Sequence, residues 1–322
     1  MNTATAFAPG SIGNVGPGFD VLGLAVEGIG DTVTVELTEG DARIAGITGR
    51  DADLVPRDPD RNCASIAAHA YLRPYGYRAI VTIHKGLALA GGMGGSAASS
   101  VAGAYAAALA VEDRQSCLSG FSVPPGQAGL PVLHHIIAAA LEGESFVAGR
   151  HLDNIAPSVV GGLALSRSID PIDVIKLPVA AEWWIALVTP RVRIQTRDAR
   201  ALLPGASERA EWIQQMANTT ALAHAFASAD GELLRRALDD RYAEPRRAPL
   251  IPRFYDVKRA ALDAGAFGCS ISGSGPTLFA VAPDERTARE CAAAMEQAFG
   301  EIASAHVGAI AKEGVRRAEA AR

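Results

Sequence analysis

The sequence is poor in cysteine, aromatic residues and positive charge, and each shortage excludes a class of protein. Four cysteines occur in 322 residues. Cys63, Cys117, Cys269 and Cys291 lie far apart with no C-x-x-C pair, which argues for reduced thiols and against a disulfide framework or a zinc site. A net charge of −5 supplies no basic surface for nucleic acid. No apolar run approaches the length of a membrane span. The start, MNTATAFAPGSIGN, has no basic segment followed by an apolar one, so no secretory signal is expected. These absences predict a cytoplasmic location and no membrane or nucleic-acid partner.

What is present is a globular profile, 49% hydrophobic and 20% charged, on a chain long enough for two packed domains. The first half reads as β-rich. Thr32 to Leu37 alternates as a strand with Ala42 to Ile47 as its partner, and Ala79 to His84 is another strand. Helices are predicted over Asn62 to Tyr71, Ser96 to Val111 and Leu133 to Glu144, with a loop from Ser116 to Pro131. In the second half, Trp183 to Thr189 is a buried strand. Glu208 to Ser228 is a helix with Trp212, Met216, Ala223 and Phe226 near one face. A helix from Arg253 ends at Gly265. Two strands then flank the turn Gly273-Ser274-Gly275-Pro276, Asp284 caps a helix to Phe299, and Ile302 to Ile310 is the closing strand. This β-α-β-β-α-β order fits a ferredoxin-like unit. The tail from Glu313 reads as frayed or as a surface helix, with Arg316 and Arg317 facing solvent.

The stretch from Gly86 to Ser100, GLALAGGMGGSAASS, is the most informative. It is not a P-loop, because the chain holds no Gly-Lys pair, and protein-kinase signatures are absent. A dinucleotide fingerprint fits loosely over Gly92, Gly94 and Ala97. It needs its first glycine directly after the strand, however, and Glu112 lies at the end of the helix itself. What remains is strand, glycine loop and a helix opening at Gly95-Ser96. That arrangement offers backbone NH groups and a positive dipole end to a phosphate. A tight turn into a packed helix explains the same residues, and this stretch alone does not decide.

Four motifs in order do. Pro9-Gly-Ser-Ile-Gly-Asn14-Val-Gly-Pro-Gly-Phe-Asp20 resembles the first motif of the GHMP small-molecule kinases, and of their homoserine kinase branch in particular. The glycine stretch resembles the second, P-x-x-x-G-L-G-S-S-A. His151-Leu-Asp-Asn-Ile-Ala-Pro157 followed by Gly161-Gly162 is similar to the homoserine-kinase segment H-x-D-N-V-A-P…G-G, and Ser270 to Thr277 resembles the third GHMP motif. Two departures stand out: Ala88 replaces the usual proline, and Gly95 the first serine of the usual pair.

The resemblance implies an α+β fold of two domains. Residues 1–170 would form a β-rich nucleotide-binding domain and residues 171–322 a ferredoxin-like one. It implies a cytoplasmic, magnesium-dependent transferase that phosphorylates the side-chain hydroxyl of L-homoserine with ATP, toward threonine. Nucleotide binding would fall to Asn62 (also readable as a helix cap), Ala90, Gly91, Gly92, Met93, Gly94, Gly95, Ser96, Ala97, Ala98 and Ser99. Glu144 and Ser96 would hold Mg²⁺, with Glu142 a competing carboxylate because the spacing from Glu144 to His151 is one residue short. Asn14, Asp20, His151, Asn154, Arg200 and Arg247 would bind homoserine, the arginines taking its carboxylate. Asp153, Asn154 and Ser96 form the catalytic group, with Asp153 orienting the hydroxyl. Oligomeric state is left open, a homodimer being the assembly allowed for. Two rivals remain: a GHMP kinase for a mevalonate-like acceptor, and a catalytically silent nucleotide-binding regulator.

Overall fold

A computed structural model describes residues 2–119, 130–300 and 303–319. The larger sheet is built on the long strand β2 (Leu22–Thr38), flanked by β1 (Thr3–Gly13) and β4 (Arg78–Lys85). Beyond β4 lies β3 (Arg43–Gly49), paired parallel. The expected pairing of this segment with Thr32 to Leu37 is therefore wrong, because β4 is inserted between them. The connection of residues 39–42 is short enough for a hairpin, but β4 pairs with β2 from Thr32 to Thr38 and takes the edge that β3 would have used. The first turns of β2 also pair with β5 (Leu163–Ile169), which continues into β6 (Ile172–Leu177).

Helices α1 (Cys63–Leu72), α2 (Gly95–Ser119) and α3 (Leu130–Val147) cover this sheet. The short α4 (Ile155–Val160) follows the His-x-Asp-Asn segment. Small side chains let the helices approach closely: Ala97, Ala98, Val101, Ala102 and Ala104 of α2 are fully buried. A Cβ on Gly103 would sit 2.4 Å from the Ala64 carbonyl oxygen. The loop expected from Ser116 to Pro131 is helical at both ends, and its middle, 120–129, lies outside the described residues.

The second sheet takes the order β10-β7-β9-β8, with β7 (Trp184–Thr189), β8 (Gly268–Ile271), β9 (Leu278–Ala282) and β10 (Ser304–Ala309) all antiparallel. This is the ferredoxin-like order expected. Residues alternate across it, as strand geometry requires. Ile185 and Leu187 join the main core with Phe226 and Leu234, while Ala186 and Val188 face a second core holding Val257, Met295 and Phe299. The helices of this half are α5 (Thr196–Ala201), α6 (Arg209–Ser228), α7 (Gly231–Ala237), α8 (Glu244–Arg247), α9 (Phe254–Asp263) and α10 (Glu285–Phe299). As expected, Asp284 caps α10, accepting from the Thr287 amide at 2.8 Å, and Gly300 ends it at φ +69.

Residues 170 and 171 form the turn of the β5–β6 hairpin, and the chain passes from the larger sheet to β7 between Leu177 and Trp184. Two further expectations change. On α6, Phe226 is buried but Trp212 and Met216 are exposed, because the first half of the helix projects beyond the core. The tail expected to fray or form a surface helix instead pairs as β11 (Arg316–Arg317) on the free edge of β1; its arginines stay partly exposed as expected, Arg317 gripping Asp113 at 2.8 and 2.9 Å and Arg316 stacking on Phe7. Among the described residues, no helix is long and apolar enough to cross a membrane.

Candidate active site

One cavity of about 560 Å³ collects the motif residues from all four segments. The glycine stretch forms one wall. Gly92 and Gly94 have φ of +80 and +64, and a Cβ on Gly92 would lie 2.6 Å from the Ser272 carbonyl oxygen and 2.7 Å from that of Gly275. The loop is held by the Gly-Ser-Gly-Pro turn. The Ser272 hydroxyl donates to the Gly92 carbonyl at 2.6 Å, and the Thr277 amide and hydroxyl both donate to that of Gly91. Gly92→Ala should therefore cost about 1–3 kcal/mol in backbone strain and raise KM for ATP. A thermal melt paired with ATP kinetics reads both, and an unchanged KM would mean the loop's shape does not matter.

Ala90, Gly91, Gly92, Gly94, Gly95, Ser96 and Ser99 line the cavity. The side chains of Met93, Ala97 and Ala98 instead pack into the core. A Cβ on Gly95 would meet its nearest neighbours at 3.4 Å or more, so a serine would fit and glycine is not sterically demanded. Asn62 lines the cavity but spends its side chain internally. Its oxygen accepts from the amides of Ala64 and Ser65, capping α1, and its nitrogen donates to the Pro56 carbonyl.

Glu144, on α3, faces the first turn of α2. It is 2% exposed, and Oε2 has no hydrogen-bond partner among the described residues. Burial pushes its pKa up, opposed by the charge of His151 and by the nearby Ser96 hydroxyl. Glu142 lies on the surface and pairs with Arg73 at 2.8 Å. Two positions along a helix turn a side chain through roughly 200°, so only one of the two carboxylates can face inward.

Next to the glycine wall, where a Cβ on Gly94 would meet Asn154 Oδ1 at 2.8 Å, His151 Nδ1 lies 2.8 Å from Asp153 Oδ1. Burial opposes the charge on His151, yet the bond and charge of Asp153 raise its pKa to about 9. Burial likewise opposes ionisation of Asp153, but His151 and Arg200 hold it below the usual carboxylate range. The pair is thus imidazolium and carboxylate. Asn154 donates from Nδ2 to Asp153 at 3.3 Å and accepts from the Ser11 hydroxyl at 3.0 Å.

Asn14 (φ +67) and Asp20 (φ +59) occupy left-handed backbone. Asn14 accepts from the Asp20 amide and donates to the Gly273 carbonyl, so it braces the site. Arg200, on α5, grips Asp20 with both nitrogens at 2.7 and 2.8 Å. Arg247, on α8, is 3% exposed. It donates to the carbonyls of Gly273 and Ala199, and among the described residues it has no carboxylate partner. Burial, then the charge of Arg200, lowers its pKa.

The sequence reading missed Ser11, Asp31, Lys85, Ser272 and Thr277. Lys85 stands directly before the glycine stretch, where strand alternation puts it on the buried face with Ala79, Val81 and Ile83, and a lysine at such a position was an available signal.

Comparison with known proteins gives the family of the chain. Residues 222–301 match the GHMP kinase C-terminal domain. The homoserine kinase of Chloroherpeton thalassium is 38% identical over 320 residues, covering 94% of each chain. That of Arabidopsis thaliana is 39% identical over 306 residues, 92% of this chain and 78% of that one. The crystal structure of homoserine kinase from Cytophaga hutchinsonii superposes with a TM-score of 0.87 at 37% identity, covering 99% of this chain and 98% of that one.

Proposed function

This chain belongs to the homoserine kinase family of the GHMP kinases, and on that premise we propose how its cavity carries out the family's reaction. It transfers the γ-phosphoryl group of ATP to the side-chain hydroxyl of L-homoserine, giving ADP and O-phospho-L-homoserine, a step toward threonine. The glycine wall and the start of α2 take the nucleotide phosphates. The part of the cavity lined by Asp20, Arg200 and Arg247 takes the amino acid. The observation that carries this division is Arg247, a buried cation lacking a carboxylate partner among the described residues, which fits an acceptor that brings its own carboxylate. A mevalonate-like acceptor also has a carboxylate, but no ammonium to engage Asp20.

The donor set fits Mg²⁺, a hard ion that prefers oxygen. Glu144 Oε2 is buried with no hydrogen-bond partner among the described residues, and the Ser96 hydroxyl is close to the carboxylate. Glu144 and Ser96 would hold the ion, which when bound neutralises phosphate charge. Phosphoryl transfer passes through a loose transition state, so positioning dominates and a strong base is optional. Asp153, held as a weakly basic carboxylate by His151, orients the hydroxyl with Asn154. Asp20 receives the ammonium, and Arg200 and Arg247 receive the carboxylate. Phosphorus NMR of a turnover mixture checks the reaction: a new phosphomonoester that requires homoserine supports it, and ADP with free phosphate alone contradicts it.

The His151–Asp153 pair has a pH signature. A raised histidine pKa adds stability that is complete below the ordinary value near 6.5 and is lost as pH rises through about 9. The lowered Asp153 adds stability that is lost only in acid, as pH falls through its depressed value. Melting temperature should therefore fall between pH 6.5 and 9 by more in the wild type than in His151→Gln. Parallel curves would show that the imidazole is not charged in the fold.

A further inference from the structure

Asp31 and Lys85 form an ion pair closed to solvent, with side-chain exposures of 0% and 2%. They meet because β2 and β4 pair with Thr32 opposite His84, so one more step along each strand sets Asp31 across from Lys85. A buried pair contributes little stability over a well-packed apolar pair, so its reason is sought in what the two side chains hold. Asp31 Oδ1 accepts from the amides of Gly86 at 3.0 Å and Leu87 at 3.1 Å, the first two residues of the glycine stretch. Its Oδ2 accepts from Lys85 and from the Ser99 hydroxyl at 2.6 Å. Lys85 Nζ also donates to the Gly95 carbonyl at 3.0 Å and to Ser99 Oγ at 2.9 Å, at the other end of the stretch where α2 begins.

One charge pair thus grips both ends of the glycine loop, the carboxylate at its start and the ammonium at its finish. All three donors of the ammonium are engaged within the protein. We propose that Asp31 and Lys85 are positioning residues that fix the span of this loop, and through it the affinity and alignment of the nucleotide phosphates. They act through Gly86, Leu87, Gly95 and Ser99. The inference rests on the reading that the loop binds ATP.

The test uses the full chain with both charges removed, Asp31→Asn/Lys85→Met, which leaves no buried charge unpaired. ADP affinity by calorimetry, KM for ATP and for homoserine, and melting temperature are measured beside the wild type. The expected result is a melting temperature within about 4 °C of wild type, with ADP affinity weakened on the order of 10–100-fold. KM for homoserine should stay the same. Lys85→Arg keeps the charge but replaces the compact three-donor head. It should show the same selective loss, and it carries the test if the double variant does not fold. Wild-type ADP affinity in the folded variants, or equal losses for both substrates, overturns the proposal. A wild type that binds no ADP fails the functional reading itself, whereas a wild type that binds ADP as well as its variants do sinks only this inference.

Discussion

Glu144→Gln is expected to lower kcat by about 10²–10³-fold, the scale of removing one preorganised charge-stabilising group, while leaving the protein as stable or more so. The two halves have one cause. Glu144 is buried, burial disfavours its charge, and one carboxylate oxygen has no partner among the described residues. Such a group costs folding free energy, on the order of 1–3 kcal/mol or more for a charged atom. An amide of nearly the same shape removes the charge without opening a hole. If the oxygen serves a cation at the phosphates, the gain in melting temperature comes with lost turnover. The melt belongs in metal-free buffer and the kinetics in saturating MgATP. A lower melting temperature with unchanged kcat would make Glu144 a structural residue.

Arg247→Ala should raise KM for homoserine by about 100-fold or more, since truncating one side of a buried charge pair costs roughly 2–5 kcal/mol. KM for ATP should stay within about twofold, because the hydrogen bonds Arg247 makes go to the carbonyls of Ala199 and Gly273 and not to the glycine loop itself. Arg247→Lys should also bind poorly, because an ammonium cannot reproduce a planar fork against a carboxylate. The same truncation at Arg200 should cost less. Arg200 is 39% exposed and already paired with Asp20, so its charge is partly solvated and partly spent. Equal rises in KM for homoserine and ATP would remove Arg247 from the amino-acid subsite.

Motif residues close together in sequence were legible, and partnerships set by strand register were not. His151, Asp153 and Asn154 lie within four positions, and the structure joins them as ion pair and hydrogen bond. The cap of α10 and the turn between β8 and β9 follow from local residue chemistry and were read correctly. Asp31 and Lys85 are 54 positions apart, and only the β2–β4 register makes them neighbours. Likewise, Ser272 and Thr277 hold the glycine loop from about 180 residues away. The misplaced partner of β2 has the same origin, since β4 enters between two strands adjacent in sequence. Trp212 and Met216 show the limit of periodicity, which finds a helix and its apolar face but not how far that face overhangs the core.

The most direct test of the central claim is a coupled ADP-release assay with MgATP, offering homoserine, mevalonate, serine and threonine in parallel. The account predicts turnover with homoserine far above the other three, and loss of that turnover in Glu144→Gln. Preference for mevalonate, or saturable ATP binding with no turnover on any of the four, would contradict it.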